Sequence, residues 1–172
     1  IISKTNRAQY IGYRDIDEVN NESNTETYFK IPAEISDERW EGVRFLLESG
    51  KKFKSKKKEI LIKFKKIKEY KQNYIRFVLE PDEAIEIGFN VRNAMKNEIV
   101  DKTVISNLKN QDSKQYVAEY TQLLLDAIEG NQKNFVSADE VRAMWRFIDP
   151  IVQTWDKNLV PLDHYQPGVE TL

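Results

Sequence analysis

The sequence predicts an α+β domain with a large, mostly antiparallel sheet and helices packed on one face. Three observations point there. Apolar residues alternate with polar ones through much of residues 27–108, and later they recur at three- and four-residue spacing. The links between the alternating runs are short, which favours antiparallel neighbours, because a parallel pair needs a crossover of a dozen or more residues.

The strands come first. From Thr27 to Ser36, the residues Phe29, Ile31, Ala33 and Ile35 occupy every second position, the period of a half-buried strand. Val43, Phe45 and Leu47 repeat the alternation, and Ile60, Ile62 and Phe64 do so again with Lys63 and Lys65 on the opposite face. Tyr74 to Leu79 and Ile85 to Val91 read as a hairpin across Glu80-Pro81-Asp82-Glu83, where Pro81 and Asp82 are turn formers. Ile99 to Leu108 alternates less regularly and is a further strand candidate.

The period then changes. Tyr116, Tyr120, Leu123, Leu124, Ala127 and Ile128 fall on one helical face, and Gly130 supplies a left-handed cap. Ser137 and Glu140 have capping-box spacing, and Val141, Met144, Trp145 and Ile148 form the apolar stripe of a second helix. Proline lacks the amide proton a helix needs, so Asp149-Pro150 is expected to bend or end it. The tail from Leu159 to Leu172 contains Pro161, Pro167 and Gly168 and reads as irregular. Trp40, Trp145 and Trp155 are expected to be packing residues.

A length of 172 residues, 40% of them hydrophobic, suits one domain over residues 1–172. There is no cysteine and one histidine, His164. That excludes a disulfide scaffold, a cysteine nucleophile and a multi-histidine metal centre, so no metal is expected. No run of about 20 apolar residues is present, and IISKTNRAQY lacks the pattern of a signal peptide. A soluble, cytoplasmic protein without membrane contact is expected. The chain begins at Ile1, and we read it as part of a longer polypeptide. Ser23, Thr25 and Thr27 form no nucleophile arrangement, and the Asp139-Glu140 pair is explained by a helix start.

Charge is unevenly placed. Residues 1–50 carry 6 basic and 10 acidic groups, residues 51–76 carry 12 basic and 2 acidic, and the remainder 9 basic and 16 acidic. Such a cluster fits a solvated strand face, a phosphorylated ligand, an acidic membrane surface or nucleic acid. Aromatic residues are irregularly interleaved and no nucleic-acid-binding motif occurs, so no nucleic-acid partner is expected.

RAQYIGYRD (Arg7 to Asp15), ESNTETYFKI (Glu22 to Ile31) and RWEGVRFLLESGK (Arg39 to Lys51) resemble, in order, the C-terminal domain of glucose-6-phosphate dehydrogenases. VLEPDEAIEIGF (Val78 to Phe89), YTQLLLDAIEGNQKNFVSADEVRAMWRFIDPI (Tyr120 to Ile151) and Tyr165 continue the resemblance over nearly the whole chain. The resemblance implies a two-domain enzyme. An N-terminal Rossmann domain would bind NADP and carry the histidine base, while this domain completes the sugar-phosphate pocket. No G-x-G-x-x-G occurs here, and His164 lies in the wrong context to be that base.

The family's phosphate contacts in this domain map to Lys51, in Ser49-Gly50-Lys51, and to Lys56. An ammonium group is a strong point-charge partner for phosphate, and Gly50 is expected to allow the turn that aims Lys51 into a cleft. Both lysines would bind and orient rather than catalyse. Glu48 departs from the family pattern, which has Arg there, and a carboxylate repels phosphate unless it is paired or faces elsewhere. Lys57 matches one basic position of a second, structural NADP site, whereas Leu61 replaces another, so no second NADP is expected. The family's Lys-Pro-Gly is replaced by Val91-Arg92-Asn93-Ala94-Met95.

The implied function is the substrate-binding and oligomerisation domain of an enzyme that oxidises glucose 6-phosphate to 6-phosphogluconolactone with NADP, in the pentose phosphate pathway. A homodimer through the sheet is implied, and the chain alone is expected to be inactive. The alternative is a stand-alone phosphosugar-binding or assembly module without catalysis. Nucleic-acid binding through residues 51–76 ranks third.

Overall fold

A computed structural model of the chain describes residues 2–67, 69–93, 95, 98–108 and 119–172. The class is α+β. The strands are β1 (Asn6–Tyr10), β2 (Tyr28–Ala33), β3 (Phe45–Gly50), β4 (Lys58–Lys63), β5 (Tyr74–Glu80), β6 (Ala84–Asn93), β7 (Glu98–Asn107) and β8 (Leu162–Tyr165). Among the described residues the α-helices are α1 (Glu119–Glu129) and α2 (Ala138–Asp156), with short 3-10 turns at Ile2–Lys4, Tyr13–Asp15 and Glu38–Trp40. Among the described residues the strands form two four-stranded sheets, in the orders β3-β2-β1-β8 and β4-β5-β6-β7. The chain divides into two compact units, one within Ile1–Lys54 and Val117–Leu172, the other within Ser55–Tyr116.

In the first unit β1, β2 and β3 are antiparallel, and β8 adds in parallel beside β1, with Gln9 opposite His164 and Tyr10 opposite Tyr165. The tail therefore holds a strand where the sequence predicted irregular chain. Alternation does not reveal β1 either, because Arg7 and Gln9 are buried on one side of it and Ala8 and Tyr10 on the other. The polar pair is satisfied by specific acceptors. Arg7 donates from Nε and Nη2 to the Val160 carbonyl and from Nη2 to Asn158 Oδ1, and Gln9 Nε2 donates to the Ser23 and Thr25 carbonyls.

Helix α1 ends as its sequence indicates. Gly130 has φ 70°, its amide donates to the Ala127 carbonyl, and the Asn131 amide reaches the Asp126 carbonyl at 2.8 Å. Tyr116, the first residue of the expected apolar face, lies outside the described residues, as does Ala94. Helix α2 starts with the expected capping box. The Ser137 amide donates to Glu140 Oε2 at 2.8 Å, and the Glu140 amide donates to Ser137 Oγ at 3.2 Å.

Pro150 does not end α2, which runs six residues further to Asp156. An interior proline costs about 3 kcal/mol. Burial of Ile151 and Trp155 against Ile31 and Val160 offsets this, at about 1.5–3 kcal/mol per large apolar side chain. Trp155 also donates from Nε1 to Thr5 Oγ1 at 3.0 Å. The three tryptophans differ in environment. Trp155 is buried and Trp40 meets the Phe45 ring edge-on, but Trp145 is 58% exposed. The buried residues of α2 are Ile151 and Trp155, so the stripe through Met144 and Trp145 is not core among the described residues.

In the second unit all three pairings are antiparallel. The register puts Ile62, Ile75, Ile87 and Val104 in one row and Ile60, Phe77 and Ile85 in the next, so one face of this sheet is apolar. On the opposite face Arg76 lies between Glu59, at 3.6 Å, and Glu86, at 3.5 Å, and Tyr74 donates its hydroxyl proton to Glu86.

A candidate phosphate-binding loop

β3 ends at Gly50, and residues 51–54 carry the chain away from the sheet. Gly50 does not supply the turn expected of it. The residue with positive φ is Lys52, at 57°. Gly50 instead gives way to a ring, since a Cβ placed there would stand 2.0 Å from Phe53 Cε2. That ring stacks on Tyr165, with centroids 5.6 Å apart and planes 14° from parallel, and meets Tyr28 edge-on.

The backbone of Lys51 is held on both sides. Its amide donates to the Thr27 carbonyl at 2.9 Å, and its carbonyl accepts the Tyr165 hydroxyl proton at 2.7 Å. The Tyr165 hydroxyl also reaches the Thr27 carbonyl at 3.2 Å. With its proton shared between these two carbonyls, the nearer being that of Lys51, the Thr27 hydroxyl donates to Tyr165 Oη at 3.0 Å while its own oxygen accepts from the Tyr10 amide at 2.9 Å. Further along, the Gly168 amide donates to the Lys52 carbonyl and the Lys54 amide donates to the Val169 carbonyl. The C-terminal segment thus fixes the loop from outside.

The lysines differ in what their ammonium groups meet. In the first unit Lys54 pairs with Glu170 at 2.8 Å, whereas Lys51 and Lys52 are exposed with no side-chain partner among the described residues. In the second unit Lys56 pairs with Glu80 at 3.2 Å, Lys57 with Glu59 at 3.1 Å, and Lys58 also with Glu80. Hydrogen bonds from Lys58 and Lys56 hold the Glu80 carboxyl below the usual carboxylate range. Lys51 belongs to the first unit and Lys56 to the second.

Glu48 is the expected source of repulsion, and the structure shows where it points. Its Oε1 accepts the Tyr28 hydroxyl proton at 2.8 Å, and its Oε2 stands 3.5 Å from Lys30 Nζ, the residue opposite it on β2. Burial pushes the Tyr28 hydroxyl pKa well up, and the Glu48 carboxylate adds to the shift. The carboxylate is thereby committed within the sheet. No Gly-rich turn occurs in the sequence, and Lys57 and Glu48 each have a side-chain partner as described. What the loop offers is an exposed ammonium group on backbone that is held at both its amide and its carbonyl. The family resemblance put forward Lys51 but not the supports of its backbone, Thr27, Phe53 and the hydroxyl of Tyr165, which are ordinary strand and loop residues until β8 is paired with β1.

Comparison with known proteins agrees with this architecture. The family model described as "Glucose-6-phosphate dehydrogenase, C-terminal domain" matches residues 2–171. "Glucose-6-phosphate 1-dehydrogenase 6, cytoplasmic" of Arabidopsis thaliana is 37% identical over 172 residues, covering 93% of this chain and 33% of the relative. The glucose-6-phosphate 1-dehydrogenase of Zymomonas mobilis is 34% identical, covering 89% of this chain and 34% of its own length. The chain thus spans about a third of these relatives. Among solved structures, a glucose-6-phosphate dehydrogenase in complex with its substrate glucose 6-phosphate superposes with a TM-score of 0.83 at 25% identity, covering 100% of this chain and 39% of that one. The Mycobacterium avium enzyme shares the fold with a TM-score of 0.81, over 99% of this chain and 37% of its own. With the family match running through both sheets, both helices and the lysine loop, the chain belongs to the glucose-6-phosphate dehydrogenase family, as its C-terminal domain.

Proposed function

We propose that this domain supplies the substrate-binding and oligomerisation part of a cytoplasmic glucose-6-phosphate 1-dehydrogenase, which oxidises glucose 6-phosphate to 6-phosphogluconolactone with NADP. The observation that carries the reading is Lys51, whose backbone is fixed on both sides while its ammonium group stays unpaired among the described residues. The related enzyme in complex with glucose 6-phosphate supports the ligand, and the relatives described as cytoplasmic isoforms support the location. Lys56, in the other unit, is proposed as a substrate contact on the family resemblance alone.

The chemistry divides accordingly. NADP is the hydride acceptor and lies outside what these residues bind, so Lys51 orients the sugar phosphate and moves no proton. The chain alone is inactive on this reading. Its pentose phosphate pathway role follows from the substrate. Dimerisation through the sheet is part of the same proposal, supported by the exposed side chains of Ile60, Ile62, Ile87 and Val104 on one face of the second sheet.

The test is glucose 6-phosphate affinity of the full natural polypeptide that carries these residues, measured by titration calorimetry. Lys51→Ala should weaken binding about tenfold or more, the scale of one charge-assisted hydrogen bond. Lys66→Ala removes a charge of the same basic segment and should change little. Equal effects of the two substitutions would mean that bulk charge, not Lys51, binds the phosphate.

A further inference from the structure

Four rotatable bonds separate the Lys51 ammonium from its backbone, so the side chain does not by itself fix the charge. The constraint sits in its main chain. The Lys51 carbonyl is the acceptor of a relay that runs from the Tyr10 amide to the Thr27 hydroxyl, then to the Tyr165 hydroxyl, then to Lys51. The phenol of Tyr165 is buried and its ring is backed by Phe53, which itself fills the space over Gly50. Tyr165 stands 114 positions from Lys51 in sequence, at the end of the only strand of this sheet that pairs in parallel among the described residues.

We propose that Tyr165 is the positioning residue of the phosphate site: its hydroxyl fixes the Lys51 carbonyl, and through it the point from which the ammonium reaches the substrate phosphate. The inference rests on the phosphate-binding reading of Lys51. Tyr165 touches no substrate. Its hydroxyl acts by narrowing the set of loop conformations, so that less ordering is left for the ligand to impose.

Tyr165→Phe keeps the ring and its stacking on Phe53 and removes one hydroxyl. In the full natural polypeptide it should weaken glucose 6-phosphate binding about fivefold, the ratio that one neutral hydrogen bond typically represents. The decisive readout is the double variant. If Tyr165 acts through Lys51, Tyr165→Phe should have no further effect on affinity in the Lys51→Ala background, whereas a general loosening of the fold would add to it.

The outcomes separate the two claims. An unchanged affinity in Lys51→Ala overturns the reading of the site. A weakened Lys51→Ala with an unchanged Tyr165→Phe, or with additive effects, leaves that reading intact and overturns the role of Tyr165. Should Tyr165→Phe not fold, Phe53→Leu removes the backing ring and is put through the same cycle, with the same non-additive result expected.

Discussion

Gly50→Ala is the sharpest probe of the loop, because its consequence can be worked from three distances. The added methyl carbon would stand 2.0 Å from Phe53 Cε2, 2.9 Å from Cζ and 3.0 Å from Cδ2. Carbon atoms rest at about 3.5–4.0 Å, so the ring has to move by roughly 1.5 Å or more. It is not free to do so, being stacked on Tyr165 and set edge-on to Tyr28. Overpacking costs about 1–3 kcal/mol, and a 2.0 Å approach to a ring that cannot move freely belongs in the upper part of that range, about 2–3 kcal/mol. A less flexible unfolded chain returns about 0.4–1 kcal/mol, leaving a net loss of about 1–2 kcal/mol. Thermal unfolding followed by circular dichroism should show the midpoint lowered by about 2–8 °C for a chain of this length. Substituting Phe53→Leu as well should remove most of the added penalty. A Gly50→Ala protein as stable as the parent, or a penalty that persists without the ring, would refute the reasoning.

Glu80→Gln should free Lys56 from its carboxylate partner and tighten glucose 6-phosphate binding by about twofold to fivefold, the modest scale of exposed ion pairs, as read by calorimetry. Looser binding would remove Lys56 from the phosphate contacts. Asp126 is buried and accepts from Asn134, Gln122 and Asn131, which hold its carboxyl below the usual range. A depressed folded-state pKa means that its stabilisation is complete above about pH 4 and is lost as the pH falls through the folded value. Helical circular dichroism of the parent should therefore show an acid-dependent component that Asp126→Asn lacks, and a carboxyl resonance titrating at the ordinary value would contradict it. Ile87→Asp places a charge in the centre of the apolar row and should yield monomers by sedimentation equilibrium of the full natural polypeptide. Unchanged association would mean that the interface lies elsewhere.

Where the pattern was periodic, the sequence was readable. The runs at Phe29–Ile35, Ile60–Phe64 and Tyr74–Leu79 each correspond to a strand, and Gly130 and the Ser137–Glu140 box sit at helix ends as their chemistry requires. β1 and β8 were not readable, because their stability comes from partners remote in sequence. Arg7 looks like a solvent-facing residue until the Val160 carbonyl 153 positions away is beside it. Pro150 misled for the same reason, since a local rule against helix continuation lost to burial of Ile151 and Trp155. The family resemblance put Lys51 forward, but no local signal distinguishes Tyr165 from any other tyrosine near a chain end.

Excess positive charge in a sequence is not the same as available positive potential. Residues 51–58 include six lysines, and four of them, Lys54, Lys56, Lys57 and Lys58, have a carboxylate partner. Two of those carboxylates come from residues remote in sequence, Glu80 and Glu170. A polyanion surface needs many unneutralised cations in a row, because its affinity grows with the number of phosphates contacted. A single phosphate monoester needs few, provided that they are held in place. Among the described residues of the 51–58 segment, the unpaired cations are Lys51 and Lys52, and both lie on backbone that the C-terminal segment holds through Tyr165 and Gly168. Pairing and anchoring together therefore support the proposed reading of this lysine-rich run, one small phosphorylated ligand, over a nucleic acid.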